Sequence, residues 1–522
     1  MASLLKNYLC FVIVIFFSFK CSFCLLDTPC SPLIVKSGYI VCVCNATYCD
    51  TFPSADPVSK GNYVVFTTSQ SGLRANKQIL PISKSSKTTT VYHIKLNETR
   101  QSILGFGGAF TDAAGINIAK LPAAAQTKLI NSYYSKDGLE YTIGRVPIAS
   151  CDFSTRAYSY DDVPGDFNLS QFTLAPEDFK YKIPFIRSAL SVTSRPIKFF
   201  ASPWSAPAWM KTEHNMTGQG TLIGQPGGPY YKAWATYFIK FLEEYEKNNI
   251  SFWGITAQNE PTDGLMAKFP FQSLGFTPEM QRDFIKLDLG PALQNSSYKN
   301  TNLMILDDQK LFVVTWMKTV LSDPEASKYI SGVAVHWYVD GVLPSDIMTL
   351  AHNLYPDKFL FGTEACEGSM PWQMKVDLGA WDRAVSYARD IIIDLNNWVT
   401  GWTDWNLALD LTGGPNWVSN YVDSPIIVNY EKNEFYKQPM YYILGHFSKY
   451  VVSDSIGLNV NSPAHKPLVE ITAFLRPDKS VVVVILNLGY QPETIELTDD
   501  VTGYIPLTIP GNSIQTVVWW LS

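Results

Sequence analysis

The fold is decided by the stretch Phe252-Trp-Gly-Ile-Thr-Ala257-Gln258-Asn-Glu-Pro261, in which a short apolar run turns abruptly polar. An apolar run of this length is typical of a buried strand. The preceding segment, Tyr231 to Tyr245, is apolar at i, i+3, i+4 and i+7 and is predicted to form an amphipathic helix. The chain thus passes from a helix into a buried strand and then into polar residues at the end of that strand. This succession indicates an α/β fold with a site at the strand ends.

The same unit recurs along the middle of the chain. Eight apolar strand candidates alternate with helical stretches: Ile103–Gly107, Tyr141–Val146, Ile197–Ala201, Phe252–Ala257, Leu303–Leu306, Gly332–Val335, Phe359–Gly362 and Val399–Trp402. A doubly wound sheet also alternates strands and helices. However, the loop after the first candidate, Gly105-Phe-Gly-Gly, lacks the third glycine of a dinucleotide-binding loop. Eight strands over roughly 300 residues therefore favour a (β/α)8 barrel, predicted for residues 101–444.

Both ends of the chain are rich in short strands. Tyr63-Val-Val-Phe-Thr-Thr68 precedes the barrel, and Leu468-Val-Glu-Ile-Thr-Ala-Phe-Leu475 and Ser480-Val-Val-Val-Val-Ile-Leu486 follow it. Turn signals recur at spacings near ten residues, which is typical of a β-sandwich. We expect residues 58–100 and 445–522 to form one sandwich that both ends of the chain build together.

The N-terminus is predicted to be a secretory signal peptide, residues 1–24. Lys6 precedes the apolar run from Leu9 to Phe19, which is too short to span a bilayer comfortably. A signal anchor is the alternative, which Lys20 disfavours because it ends the run early. Six Asn-x-Ser/Thr sequons agree with export and are candidate glycosylation sites: Asn45, Asn97, Asn168, Asn215, Asn249 and Asn295.

Four of the six cysteines beyond residue 24 crowd into residues 25–57, predicted to be a small disulfide-bearing sheet. They are Cys30, Cys42, Cys44 and Cys49. A zinc site is disfavoured because Cys42 and Cys44 are closer than the usual ligand spacing and export favours oxidation. Four cysteines allow three connectivities. The pairs Cys30–Cys42 and Cys44–Cys49 are favoured as the most local.

Composition limits the function classes. The chain has 41 Lys and Arg against 47 Asp and Glu, a net charge of −6, so a nucleic-acid partner is not expected. Its six histidines include no His-x-x-x-His pair, and no metal site is predicted. The aromatic content of 14% fits a large core, sugar-stacking platforms or lipid-facing rims.

Two carboxylates at predicted strand ends indicate the chemistry. Glu260 follows the fourth strand and Glu364 the seventh, so both are expected at the mouth of the barrel. Retaining glycoside hydrolysis requires two carboxyl groups about 5–5.5 Å apart, one as nucleophile and one as proton donor. The other strand ends carry aromatics, carboxylates and amides without lysine. We therefore predict a sugar site with Glu260 and Glu364 as its catalytic pair.

A set of longer motifs identifies a family. They are Gly105-Phe-Gly-Gly-Ala-Phe-Thr-Asp-Ala-Ala, Ala149-Ser-Cys-Asp-Phe-Ser, Ala201-Ser-Pro-Trp, Asn259-Glu-Pro, Leu274-Gly-Phe-Thr-Pro-Glu, Ala334-Val-His-Trp-Tyr, Thr363-Glu-Ala-Cys and Gly401-Trp-Thr-Asp-Trp-Asn-Leu-Ala-Leu. With them the chain resembles the lysosomal acid β-glucosidases, or glucosylceramidases, of glycoside hydrolase family 30. The similarity extends from the cysteine cluster to the terminal strands, nearly the whole mature chain.

The resemblance implies a (β/α)8 barrel, a β-sandwich and a small disulfide-bearing sheet. It implies that Glu260 is the acid/base and Glu364 the nucleophile. Five further residues match the family's substrate-binding positions: Asp152, Trp204, Asn259, Tyr338 and Trp405. Among these, Asn259 is expected to bond the sugar 2-hydroxyl and Tyr338 to orient Glu364.

The resemblance also implies the biology. The expected reaction is hydrolysis of glucosylceramide to glucose and ceramide, in the lysosomal lumen at a membrane surface. A saposin activator and anionic phospholipid are the expected partners, with no cofactor. Two alternatives remain: a related retaining β-glycosidase with a different sugar or aglycone, and a non-catalytic secreted sugar-binding protein. The second ranks last because both carboxylates are present.

Several neighbouring residues carry weaker expectations. The loop Gly368-Ser-Met-Pro-Trp-Gln-Met-Lys375 is predicted to form a lip where the ceramide tail emerges, with Trp372 exposed. Glu367 is expected to be exposed and Asp404 to be structural. Cys151 and Cys366 are expected to be reduced thiols, as the family resemblance implies.

Overall fold

The computed structural model describes residues 27–461 and 466–521. The predicted signal peptide, residues 1–24, lies outside the described residues. No helix in the described part of the chain combines the length and apolarity that a membrane crossing requires.

The described residues form strands and helices, numbered separately in chain order. The strands are β1 Pro32–Lys36, β2 Tyr39–Asn45, β3 Asn62–Ser69, β4 Asn76–Pro81, β5 Val91–Ser102, β6 Gly105–Ala109, β7 Ile143–Ile148, β8 Lys198–Pro203, β9 Gly254–Thr256, β10 Asn302–Gln309, β11 Ile330–His336, β12 Phe359–Glu364, β13 Val399–Asn406, β14 Leu409–Asp410, β15 Ile426–Asn429, β16 Glu434–Lys437, β17 Ile456–Asn461, β18 Val469–Leu475, β19 Ser480–Asn487, β20 Glu493–Thr498, β21 Tyr504–Ile509 and β22 Ser513–Trp520. The helices are α1 Asp112–Ala119, α2 Ala123–Tyr134, α3 Ile183–Val192, α4 Pro229–Glu246, α5 Pro278–Phe284, α6 Gly290–Gln294, α7 Val313–Leu321, α8 Pro324–Ser327, α9 Ile347–Leu354, α10 Trp381–Asn396 and α11 Pro439–Ser448.

Strands β6 to β13 close into a parallel barrel in sequence order, with β13 pairing back onto β6. All eight predicted strands are present, and the predicted barrel is confirmed. Its interior is filled by large apolar side chains rather than left open, as in other barrels of this type. Five of the residues packed inside are Ile143, Phe200, Met304, Ala334 and Phe361. Because these side chains fill the interior, a site can form only at the ends of the barrel, and the polar residues lie at the carboxyl ends of its strands.

The helices cover the barrel as the sequence pattern predicts. Helix α4 begins with Pro229 at its first turn, where a missing N–H costs no helical hydrogen bond. One side of the helix buries large aromatic rings, among them Trp234, Tyr237 and Phe241. Burying rings of this size stabilises the contact by roughly 2–3 kcal/mol each. The predicted helix Tyr231–Tyr245 therefore lies within α4, and its rings pack against Tyr160 and Phe252.

The predicted β-sandwich is also confirmed. Nine strands pair in the order β21-β20-β5-β17-β18-β19-β22-β3-β4 and fold over one shared core. Strands β3 and β5, from before the barrel, pair with strands from after it. Central strand β19 reads Ser480-Val-Val-Val-Val-Ile-Leu-Asn487 and is buried at every position, as a β-branched run favours.

A third sheet joins the N-terminus to a late segment, in the order β1-β2-β16-β15-β14. Strands β14 to β16 lie within the stretch 101–444 that the sequence analysis allots to the barrel. The structure pairs Cys30 with Cys42 and Cys44 with Cys49. These bridges tie β1 and the turn after β2 to the sheet, in a part of the chain that contributes few residues to the main core.

Candidate active site at the carboxyl end of the barrel

Glu260 and Glu364 face the same cavity at the carboxyl end of the barrel. The cavity has a volume of about 270 Å³, and both side chains line it. A carboxylate oxygen of Glu260 lies within 4.8 Å of one of Glu364. Two carboxyl groups at this range suit direct attack by one of them on a sugar carbon, because a longer gap of about 6.5–9.5 Å is needed to seat a water.

The backbone directs Glu260 into the cavity. Glu260 lies four residues past the end of β9 and has a φ of +40°, in the left-handed region. Its N–H donates to the carbonyl of Asp307, at 2.8 Å. Left-handed backbone at a residue that is not glycine costs of order 1 kcal/mol and is concentrated at functional sites. The pairing with β10 holds that strained turn in place.

Glu364 is fixed by a hydrogen bond on each oxygen. Tyr338 donates its hydroxyl proton to Oε1 of Glu364 at 2.8 Å, and Nη1 of Arg145 donates to Oε2. Burial raises the pKa of Glu364, and the charge of Arg145 opposes that rise. The carboxylate is therefore held in one orientation with its negative charge partly compensated.

Arg145, in β7, is the fully buried centre of the charge network. Its Nη2 donates to Oδ1 of Asn259 at 2.8 Å and to Oδ2 of Asp307 at 3.0 Å. A buried guanidinium would be very costly alone, and here its donors are met by carboxylates and an amide. Asn259 is held in place by this bond. Asn259 is 3% exposed and directly precedes Glu260, which lines the cavity.

Asp307 is aimed inward by a bulge in β10. The pairing of β10 with β11 shifts register between Leu306 and Asp308, and Leu306 and Asp307 both have positive φ. A bulge re-aims side chains in this way. Oxygens of Asp307 accept hydrogen bonds from Arg145, Thr256, Thr363 and His336. Burial opposes its charge, but Arg145 and these donors hold the pKa of Asp307 well below its usual range.

His336 links the two halves of this network. Its Nδ1 lies 3.1 Å from Oε1 of Glu260 and its Nε2 lies 3.0 Å from Oδ1 of Asp307. Burial alone would lower the pKa of His336, but the carboxylates around it outweigh burial and raise that pKa to about 10. Both ring nitrogens therefore carry protons and donate. His336, Glu260 and Glu364 lie close enough together to share a metal ion, and in this structure the His336 ring bonds to carboxylates through both nitrogens.

The sugar-binding candidates line the cavity around the pair. The indoles of Trp204 and Trp405 stack with centroids 5.2 Å apart and planes 19° apart, and Phe153 packs edge-on against Trp405. Asp152 accepts hydrogen bonds from the amides of Asn416 and Asn420, both at 3.0 Å and both on Oδ2. Burial raises the pKa of Asp152 to about 7, and these amides oppose the rise.

The comparisons with known proteins agree with this geometry. A model of the glycosyl hydrolase family 30 TIM-barrel domain matches residues 103–451. A model of the glycosyl hydrolase family 30 beta sandwich domain matches residues 453–517. The chain belongs to glycoside hydrolase family 30. Members of this family hydrolyse glycosides with retention of configuration, which is the outcome that the close carboxyl pair favours.

Three relatives within or near family 30 illustrate the similarity. The lysosomal acid glucosylceramidase of Mus musculus is 49% identical over 94% of this chain and 95% of its own length. The putative glucosylceramidase 4 of Caenorhabditis elegans is 46% identical over 94% of this chain and 95% of its own length. The crystal structure of SrfJ from Salmonella typhimurium superposes with a TM-score of 0.81 at 28% identity, covering 88% of this chain and all of that one.

The family 30 site contains residues that the sequence analysis missed. Arg145 lies inside a strand that the sequence predicts from its apolar residues. Asp307 lies in β10, just past the predicted run Leu303–Leu306, at a bulge that the sequence does not reveal. A lone arginine in an otherwise apolar parallel strand was the available signal, since a buried charge requires a partner. Asn416 and Asn420 lie in a loop without periodicity, and nothing in the sequence placed them beside Asp152.

Two other acidic residues near the family 30 site can now be placed. The prediction that Glu367 is exposed is wrong: it is 6% exposed, and it accepts a hydrogen bond from Gln373. The loop after β12 folds back over Glu367, and burial raises its pKa. Asp404 is buried and accepts a 2.6 Å hydrogen bond from Tyr387 outside the cavity, a structural contact of the expected kind.

The remaining predictions fall on the rim and surface. Trp372 is 80% exposed, and Met370 lines the cavity.

Among the described residues Cys151 and Cys366 are free and buried. Of the sequon asparagines, Asn45 is half-buried and the others are exposed: Asn97, Asn168, Asn215, Asn249 and Asn295. Their glycosylation stays a prediction.

Proposed function

We propose that the protein is a retaining β-glucosidase that hydrolyses glucosylceramide to glucose and ceramide. The observation that carries the proposal is the short distance between the two carboxylates in one cavity. An oxygen of Glu260 lies within 4.8 Å of an oxygen of Glu364. That range suits a covalent glucosyl-enzyme intermediate. The names of the mouse and nematode relatives, lysosomal acid glucosylceramidase and putative glucosylceramidase, support the choice of lipid.

Glu364 acts as the nucleophile. Its two oxygens are held by Tyr338 and Arg145, so the carboxylate needs little reorganisation before it attacks the anomeric carbon. Glu260 gives a proton to the glycosidic oxygen, and ceramide leaves as the neutral alcohol. Glu260 then takes a proton from water, which attacks the same carbon and releases glucose with net retention.

The other predicted residues bind the glucose ring. Asp152 presents carboxylate oxygens to sugar hydroxyls, and Trp204 and Trp405 form the apolar wall against which the ring lies. Asn259, held by Arg145, bonds the 2-hydroxyl. A hydrogen bond there strengthens as the ring approaches the oxocarbenium-like transition state, so it raises the rate rather than only the affinity.

The surroundings of the reaction are part of the same proposal. The substrate is a glycosphingolipid at a membrane surface in the lysosomal lumen, reached through the secretory pathway. A saposin-type protein and anionic phospholipid act as activators, and no metal or cofactor takes part. The name of the mouse relative supports the compartment. Exposed Trp372, two residues past the cavity-lining Met370, is compatible with a lipid-facing rim.

Trapping the intermediate tests the proposal. A 2-deoxy-2-fluoro glucosyl fluoride should inactivate the protein, and peptide mapping should place the label on Glu364. Glu364→Gln should take no label, and the matching galactosyl reagent should inactivate far more slowly. Release of glucose from glucosylceramide in phosphatidylserine vesicles, with and without saposin, tests the lipid and its activators. A label on another residue, or faster reaction with the galactosyl reagent, contradicts the proposal.

A further inference from the structure

The turn after Glu260 brings a third carboxyl group to the catalytic pair. Asp263 begins the short 3-10 turn Asp263–Leu265, and its N–H donates to the carbonyl of Glu260 at 3.0 Å. The Asp263 side chain lines the same cavity as Glu260 and Glu364. Its carboxyl group lies close enough to the carboxyl group of Glu260 for the two to share a hydrogen bond. The mechanism above gives this residue no task.

A hydrogen bond between two carboxyl groups requires a proton on one of them, because ionised carboxylates only accept. Glu260 is the poorer place for that proton. Its Oε1 accepts from Nε2 of Gln309 and faces Nδ1 of protonated His336, both at 3.1 Å. Burial raises the pKa of Asp263 to about 11, and the charge of Glu260 contributes to that rise. For Glu260, burial is outweighed by His336, and the pKa is lowered. In the free site the proton therefore lies on Asp263.

This arrangement leaves the acid of the reaction unprotonated at rest. Glu260 must give a proton to the leaving oxygen, yet its surroundings favour the carboxylate. We propose that Asp263 is a positioning residue that stores the proton which Glu260 delivers to the leaving group and takes back when water attacks. The proposal rests on the proposed function and assigns Asp263 no direct contact with the substrate.

The proton transfers balance over both steps. In the first step the O–H bond of Asp263 breaks as one forms on Glu260, and that bond breaks in turn as the leaving alcohol gains its proton. Glu364 becomes a neutral ester at the same time, so the carboxyl groups carry two negative charges before and after. In the second step water loses a proton to Glu260, which returns it to Asp263 as the ester is cleaved and Glu364 regains its charge.

The charges around the pair explain why the proton can move at the right moment. The groups that face Asp263 or Glu260 are Asp308, Glu364, His336 and Arg145. The negative charge of Glu364 is one of the causes that hold the proton on Asp263. That charge disappears as Glu364 forms its bond to the sugar. The step in which the leaving group needs the proton is therefore also the step in which Asp263 binds that proton less tightly.

Replacement of Asp263 by asparagine separates proton storage from hydrogen bonding. Asparagine can still donate a hydrogen bond to Glu260, but it has no carboxyl proton to give. We expect the alkaline limb of the kcat/KM profile of Asp263→Asn to move to lower pH by roughly one unit or more, measured with octyl β-glucoside. An alkyl alcohol is a poor leaving group, so its departure depends strongly on proton donation from the enzyme. With 2,4-dinitrophenyl β-glucoside, whose leaving group needs little acid help, the first step should change less than about threefold.

Asp308→Asn is the matched control. Asp308 also faces Glu260 electrostatically, but its carboxylate is bonded to Thr262 at 2.7 Å rather than to Glu260. Its loss should move the alkaline limb by much less. Asp263→Ala should behave like Asp263→Asn, since neither can hold the proton. An alkaline limb that stays in place in Asp263→Asn, or equal losses on both glucosides, overturns the proposal and assigns Asp263 a purely structural role.

The same measurements keep this proposal distinct from the proposed function. If the parent protein hydrolyses both glucosides and Asp263→Asn keeps the parent profile, proton storage fails while the glucosidase assignment stands. If the parent hydrolyses neither glucoside, the assignment itself fails. Activity of the variants on the dinitrophenyl substrate also reports that their sites have folded.

Discussion

Tyr338 and Arg145 hold opposite oxygens of Glu364, the first at Oε1 and the second at Oε2. The two donors come from different parts of the barrel: Arg145 lies in β7, and Tyr338 lies two residues past the end of β11. A carboxylate that accepts a hydrogen bond on each oxygen is held in one orientation relative to the cavity. The positioning of the proposed nucleophile is therefore a property of barrel closure and not of the loop that follows Glu364.

Removing the Tyr338 hydroxyl should weaken the nucleophile without unfolding the barrel. A hydrogen bond to a charged group contributes roughly 1.5–3 kcal/mol, so Tyr338→Phe should lower kcat/KM for an aryl glucoside by about 10- to 100-fold. The lost donor had favoured the carboxylate, so the pKa of Glu364 rises. Because the nucleophile must be ionised, the acid limb of the kcat/KM profile should move to higher pH.

Tyr387→Phe is the control for Tyr338→Phe. It removes a hydroxyl that donates to a buried carboxylate, that of Asp404, outside the cavity. Its acid limb should match the parent. If Tyr338→Phe also keeps the parent limb, the hydroxyl does not act on Glu364.

Replacing the proposed acid/base should leave a rescuable enzyme. Glu260→Ala lacks the base for the second step, so turnover of 2,4-dinitrophenyl β-glucoside should fall by roughly 10²- to 10⁴-fold. Azide needs no base to attack, and it fits the space that the side chain vacates. Added azide should restore turnover and give β-glucosyl azide, identified by nuclear magnetic resonance. Formation of the α-anomer would mean that Glu260 is the nucleophile instead.

The sequence predicted the frame of the site because the barrel repeats a simple pattern. Each apolar run had to be a strand, and the residue after it had to lie at the mouth. That logic located Glu260, Glu364, Asp152 and Trp204. The full lengths of β10 and β13 did not follow from it. Both strands continue past the predicted apolar runs Leu303–Leu306 and Val399–Trp402, through polar residues such as Asp307 and Asp404.

The charge network behind the pair could not be predicted in the same way. Arg145, Asp307 and His336 come from three strands far apart in the chain, and their meeting depends on register and on the β10 bulge. Asp263 presents the same difficulty on a smaller scale. It begins a short 3-10 turn that closely follows the left-handed backbone of Glu260, and the sequence gives no signal for either feature.

Exposed Trp372 should matter for lipid substrates and not for soluble ones. It is 80% exposed in the loop that follows Glu364, and an indole at such a site favours the interface between water and lipid. Trp372→Ser should lower hydrolysis of glucosylceramide in anionic vesicles by roughly three- to tenfold, since an exposed aromatic contributes about 1 kcal/mol of binding. Hydrolysis of an aryl glucoside should stay at the parent level.

Tyr490→Ser is a suitable control for the tryptophan. Tyr490 is 86% exposed between β19 and β20 of the sandwich. Its loss should leave both activities unchanged. Equal losses on vesicles and on the aryl glucoside in Trp372→Ser would show that the loop shapes the cavity and does not meet lipid.

A buried acidic cluster should make the fold more stable at acidic than at neutral pH. Lys310 contacts Asp340, Asp390 and Asp394, so one cation faces three carboxyl groups. Burial raises the pKa of Asp394 to about 7, against the opposing charge of Lys310. An acid with a raised pKa binds its proton more tightly in the folded state. Its contribution is full below the unfolded pKa of about 4 and is lost as the pH rises through about 7.

Asp394→Asn should remove that part of the pH dependence, because the amide cannot ionise in the cluster. Urea unfolding at pH 5 and pH 8 should show the parent losing more stability than the variant between the two, by roughly 1–3 kcal/mol. Asp382→Asn removes an exposed carboxylate from the same helix, α10, and should follow the parent. If Asp394→Asn loses as much stability as the parent over this range, Asp394 is already ionised at pH 5, and Lys310 compensates the whole cluster.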